Sequence, residues 1–111
     1  MTANEFRKLA LGLPEAEEGQ HMSHPDFRVG GKIFATLMPG GACGMVKLTP
    51  EQQRVLIKAE PEVFAPVKGG WGVRGATQVL LKQGRKASVR EALKLAWQGT
   101  APRKLRDESD K

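Results

Sequence analysis

Apolar positions alternate between helical and strand spacing along this chain, and the switches between the two periods predict its elements. Phe6, Leu9, Ala10 and Leu13 fall on one face of a 3.6-residue period, which predicts a first helix starting at Thr2. Thr2 and Glu5 have the spacing of a capping box, and Pro14 ends the helix. Glu15–Met22 reads as a polar first strand. Asp26–Val29 and Lys32–Met38 are β-type runs divided by Gly30-Gly31, a pair suited to the positive φ of a tight hairpin. Pro39-Gly40-Gly41 turns the chain again into Ala42–Leu48, which completes an antiparallel meander. The middle run, KIFATLM, is apolar on both faces and so predicts a central strand, with Ile33 and Leu37 buried under the first or the last helix.

Thr49 opens a second helix, with Pro50 at its first position, Gln52 as capping partner, and Val55, Leu56 and Ala59 as its buried side. Pro61 and Pro66 bound an irregular segment, Lys68–Gly75 is glycine-rich, and Ala76–Lys82 returns to strand character until Gly84 breaks it. Ser88 and Glu91 suggest a third capping box, for a helix over 89–98. Val89, Leu93, Ala96 and Trp97 point inward on it, and Arg90, Lys94 and Gln98 outward. The order α-β(3-4)-α-β(1-2)-α lacks βαβ alternation. It predicts an α+β domain of two layers, an antiparallel sheet with helices packed on one face.

Composition narrows this further. A chain of 111 residues has material for one domain, residues 1–111, with a basic tail from about 101 to 111 as a flexible extension. Such a domain buries roughly 60–70% of its unfolded surface. The single cysteine, Cys43, rules out an internal disulfide and fits a reducing compartment. No apolar leader follows Met1 and no run approaches the about 20 residues that span a bilayer, so a cytoplasmic protein with no membrane partner is expected. The net charge of +6 is unevenly placed. Residues 1–50 hold five Lys/Arg and five acids, whereas residues 64–106 hold ten Lys/Arg against Glu91 alone. A half so basic points to a polyanionic partner, or simply to solvated lysines.

Candidate chemistry is sparse. Gly70-Trp71-Gly72-Val73-Arg74-Gly75 matches the dinucleotide pattern G-x-G-x-x-G, but the strand-like ATQVLLK follows it where a helix is needed. His21 and His24 are three apart, which in an extended segment sends them to opposite faces unless a turn intervenes, and His24-Pro25 reads as a strand-opening turn. Cys43 follows a Gly-Gly turn with no helix start after it, so a small strand residue is expected rather than a nucleophile. Glu15, Glu17 and Glu18 read as solvated. No catalytic set, cofactor site or metal site emerges, and neither a bound transition metal nor covalent chemistry at Cys43 is expected. Trp71, among glycines, is either an anchor tucked onto the sheet or a displayed ring. Displayed, it would offer a stacking face while Lys68 and Arg74 hold phosphates.

Taken together, His24-Pro25-x-Phe27, Val29-Gly30-Gly31-Lys32-x-Phe34-Ala35, Lys47-Leu48-Thr49-Pro50-Glu51-Gln52, Gly70-Trp71-Gly72 and Thr77-x-Val79-x-Leu81 resemble the MmcQ/YjbR family over nearly the whole chain. The resemblance implies a compact α+β fold similar to secretion chaperones and to the double-wing DNA-binding domains of phage transcription factors. It implies no catalytic residues. A second tryptophan frequent in the family is replaced here by Ala76. Two readings follow. In one, a non-catalytic protein grips DNA phosphates through Lys82, Arg85, Lys86, Arg90 and Lys94, with Lys68, Trp71 and Arg74 as a wing. In the other, the domain is a protein-interaction or chaperone-like module and the charge serves solubility. Whether the five cations of the last helix and its turn share a face separates the two.

Overall fold

A computed structural model describes residues 1–21 and 24–109 of the chain. Helix α1 spans Ala3–Leu11 and opens on the expected capping box: the Glu5 amide donates to Thr2 Oγ1 at 3.1 Å, and the Thr2 amide donates to the Glu5 carboxylate at 2.9 Å. Hydrogen bonding from the Thr2 amide and hydroxyl holds the Glu5 carboxyl below its ordinary pKa, and the N-terminal charge and Lys86, acting through space, add to the effect. The helix stops at Leu11 with Gly12 as its cap, before Pro14.

A meander follows, built from β1 (Glu17–His21), β2 (His24–Val29), β3 (Lys32–Leu37) and β4 (Cys43–Lys47). The β2–β3 turn has φ of 60° at Gly30 and 80° at Gly31, the left-handed pair that a two-residue hairpin loop requires. Helix α2 (Pro50–Ala59) then crosses to β5 (Phe64–Pro66), and the short α3 (Gly70–Val73) leads into β6 (Ala76–Leu80). Helix α4 (Lys86–Thr100) and α5 (Arg103–Ser109) complete the chain. All six strands form one antiparallel sheet in the order β1-β2-β3-β4-β6-β5, so β3 is interior as the pattern predicted. The segment expected as a flexible basic tail carries α5, whose Leu105 packs against the core; residues 110 and 111 lie outside the described residues.

Helix α4 lies over β3 and β4 with α1 beside it, and Ser88 Oγ at its start donates to Glu60 at the end of α2, 3.0 Å away. These helices cover the sheet face that carries Phe27, Ala35, Leu37, Val46 and Val79, all buried. The Phe6 ring of α1 packs over Gly44, where a Cβ would come within 2.7 Å of it, and it packs against Phe27 at a centroid distance of 6.0 Å. The fold is thus the α+β, two-layer arrangement that the element order implies.

Four details depart from the pattern. Ile33 is half-buried while Leu37 is buried, because the pairing slips at Phe27/Arg28. Phe27 faces Ala35 but Arg28 faces Ile33, so Phe34 is the extra residue of a bulge and Ile33 turns to the helix-free face. Val55 and Ala59 of α2 are exposed; Leu56 packs half-buried against the core with Ile57, and the buried residue is the polar Gln53. Ser88 caps nothing: α4 starts three residues before the expected 89, with Arg85 as an N-cap that makes no side-chain bond, because the serine hydroxyl is committed to Glu60. Finally, the segment bounded by Pro61 and Pro66 contains β5, an edge strand only three residues long.

Candidate nucleic-acid interface

The basic residues of the second half divide between two ends of β6. At its C-terminal end, the turn Leu81–Gln83 carries Lys82, Arg85 precedes α4, and Lys86, Arg90 and Lys94 follow along the helix. Steps of four residues drift by about 40°, so the three helix cations lie within about 80° of arc. The buried arc of α4 carries Val89, Ala92, Leu93, Ala96 and Trp97 and forces these cations to the solvent side. All five are exposed, and no ion pair engages them among the described residues. Glu91, one residue past Arg90, lies about 100° further round the helix. Beyond Lys94, residues Gln98, Arg103, Arg106 and Asp107 line an open cleft of about 400 Å³. The cations of the last helix therefore share a side, with Lys82 and Arg85 in the turn that leads into it.

Near the N-terminal end of β6 sits the glycine-rich segment. Trp71 is displayed, 66% exposed, and Val73 beside it is 79% exposed. The Arg74 guanidinium lies over the indole, 5.5 Å from its centroid. The backbone beneath is held tightly. Gly72 is buried, and a Cβ there would fall 1.7 Å from the Val67 carbonyl oxygen; at Gly75, with φ of +113°, it would fall 1.9 Å from that of Leu48. Gln53 Nε2 donates to the carbonyls of Gly72 at 3.0 Å and Ala76 at 2.9 Å. The two N–H donors of a neutral amide serve both carbonyls without burying a charge, which accounts for a buried glutamine on α2. Gln53→Leu removes one donor from each carbonyl, which keep the Gly75 and Val67 amides, and should cost about 1 kcal/mol, read as a lower urea midpoint; an unchanged midpoint would show that the backbone amides alone satisfy them.

Sequence reasoning missed two cations at this end. Lys47 is the register partner of Ala76, whose carbonyl also accepts from the Val67 amide next to Lys68. Lys32 and Lys47 line a groove of about 220 Å³ with Leu48, Thr49, Gln52, Gly99 and Thr100. Strand pairing and the α4 C-terminus bring them there, and nothing local in the sequence signals it.

The remaining candidates resolve simply. The G-x-G-x-x-G match is followed by β6 and has no helix for a pyrophosphate to approach. His21 and His24 are register partners across the β1–β2 hairpin, so a turn does bring their backbones opposite each other; residues 22 and 23 lie outside the described residues. Among the described residues no group of three His, Cys, Asp or Glu could hold a metal. Cys43 is a half-buried strand residue whose Sγ accepts from Gln78 Nε2 at 3.1 Å. Glu15 and Glu17 are exposed, and Glu18 pairs with Arg7 at 2.9 Å. Asp26, fully buried on the helix-free face, receives two bonds from Arg28, at 2.8 and 3.0 Å. No helix among the described residues is long and apolar enough to cross a membrane.

A family model described as YjbR matches residues 11–99. The crystal structure of the Deinococcus radiodurans protein DR2400, with the family-model domain DUF419, is similar in fold. Its TM-score is 0.73 at 20% identity, over 96% of this chain and 86% of that one. No curated protein matches the sequence at a significant level.

Proposed function

The chain belongs to the YjbR family, and we propose that this member is a non-catalytic protein that binds duplex DNA through its phosphates. The observation that supports this most is the set of cations on α4 and the turn before it. Lys82, Arg85, Lys86, Arg90 and Lys94 are exposed and unpaired among the described residues. A rigid helix holds three of them in a row, spaced about 6 Å apart along its axis. Such a row can follow a phosphate backbone without reordering the protein. The five are long cationic side chains with no Asn or Gln interleaved among them on α4 before Gln98, an array in which phosphate contacts dominate. Binding is therefore governed by counterion release and is nearly independent of sequence.

The competing assignment, a protein-interaction module whose charge serves only solubility, predicts no retardation of a DNA duplex in an electrophoretic mobility shift even at about 50 mM salt. Retardation that weakens steeply as salt rises supports the DNA assignment. Its absence at low salt transfers the function to protein partners.

A further inference from the structure

We propose that the α3 end of the sheet is a second, separate binding surface, and that it takes single-stranded nucleic acid by stacking an unpaired base on Trp71. The inference stands independently of the duplex contacts assigned to α4. An indole 66% exposed, with Val73 79% exposed beside it, is an apolar surface the fold leaves uncovered. It is not loosely held. Gly72 and Gly75 pack against the carbonyls of Val67 and Leu48 too closely for any side chain, and Gln53 fastens the Gly72 carbonyl from below. The ring is thus presented in advance by a rigid backbone, which lowers the ordering cost of binding.

The charge around it selects the partner. Lys47 and Lys68 are tied to Trp71's segment through Ala76, Arg74 stacks on the indole itself, and Lys32 shares the groove lined by Lys47. Glu51, the acid flanking this groove on α2, faces Arg54 at 3.8 Å. An exposed indole with Arg74 over its ring, and with Lys68 and Lys47 joined to the same short segment, fits a strand whose bases are free to stack and whose phosphates need neutralising. In a duplex the bases are already stacked and the ring would have no face to meet. A protein partner with an acidic rim is the outcome that the test must separate.

The test is intrinsic fluorescence. The chain has two tryptophans, and Trp97 is buried and hydrogen-bonded, so quenching by a ligand reports Trp71. Titration with an oligothymidylate of about ten nucleotides should quench the emission, and a blunt duplex of equal phosphate content should not. Trp71→Ala should weaken single-strand binding roughly tenfold or more, while Trp71→Phe retains most of it. Lys47→Gln with Lys68→Gln should flatten the salt dependence for the single strand by about 1.4 units of slope. Equal quenching by duplex, or single-strand affinity indifferent to Trp71→Ala, would overturn the proposal. So would emission that responds to protein concentration and not to nucleic acid, which marks the patch as a protein contact. Duplex binding that fails while the single strand still quenches Trp71 would remove the α4 assignment and leave this one standing.

Discussion

Trp97→Ala should lower the unfolding free energy by about 3–5 kcal/mol, the range for removing a large buried aromatic. In a domain of this size that corresponds to a fall in Tm on the order of 15 °C. Trp97 is 2% exposed, and its Nε1 donates to the Pro14 carbonyl at 2.9 Å, joining α4 to the loop after α1. The substitution thus opens a cavity under α4 and also releases the end of α1 from the helix it flanks. Trp97→Phe separates the two contributions. It keeps most of the ring, leaves the Pro14 carbonyl without its donor, and should cost about 1–2 kcal/mol. Thermal unfolding followed by circular dichroism reads both. A Trp97→Ala protein melting within a few degrees of the parent would mean that α4 is held by something other than this core.

Gly72→Ala should be as disruptive in a smaller region. The new methyl would sit 1.7 Å from the Val67 carbonyl oxygen and 2.9 Å from its carbon, both backbone atoms that cannot swing aside. Either α3 lifts away, breaking the Gln53 bond to the Gly72 carbonyl, or the end of β5 moves and disturbs the Val67–Ala76 bond. The cost should reach the upper end of the about 1–3 kcal/mol usual for overpacking, with a changed Trp71 emission maximum. Gly70→Ala is the matched control. Its added methyl meets nothing within 4 Å and its φ is not positive, so stability should be unchanged or up to about 1 kcal/mol higher. Equal effects at the two positions would contradict the close approach on which the display of Trp71 depends.

Much of this architecture was legible because local signals agreed with the tertiary fold. Gly30-Gly31 marked a hairpin that only positive φ permits, and the Thr2/Glu5 and Thr49/Gln52 pairs each place donors where a helix start leaves them unpaired. The inward stripe of α4 followed its period. The misreadings arose where a distant partner overrode a local rule. Ser88 looks like a cap but finds Glu60; Val55 and Ala59 look like the buried side of α2, but Gln53 turns inward to serve two carbonyls across the domain. Ile33 was assigned by strict alternation, which one bulge reverses. The candidate surfaces show the same division. The cations of α4 could be placed on one side from the helical period alone. The exposure of Trp71 depends on the approach of Val67 and Leu48 to two glycines, and the grouping of Lys32 with Lys47 depends on strand order; neither leaves a local trace.

The assignment of α4 to DNA phosphates is tested most directly by the salt dependence of duplex affinity. The dissociation constant should fall on the order of 10⁻⁴–10⁻⁶ M at physiological salt, with little preference among sequences. If about four or five of Lys82, Arg85, Lys86, Arg90 and Lys94 meet phosphates, log K should fall against log salt with a slope of roughly −4. Arg85→Gln with Lys86→Gln should flatten that slope by about two units. Arg7 and Lys8 belong to the neutral half but lie on α1, which packs beside α4, and so are poor controls. Arg54→Gln with Lys58→Gln on α2 removes the same charge elsewhere and should leave the slope nearly unchanged. A slope that responds equally to both pairs would contradict the account, because it would report overall charge and no binding surface on α4.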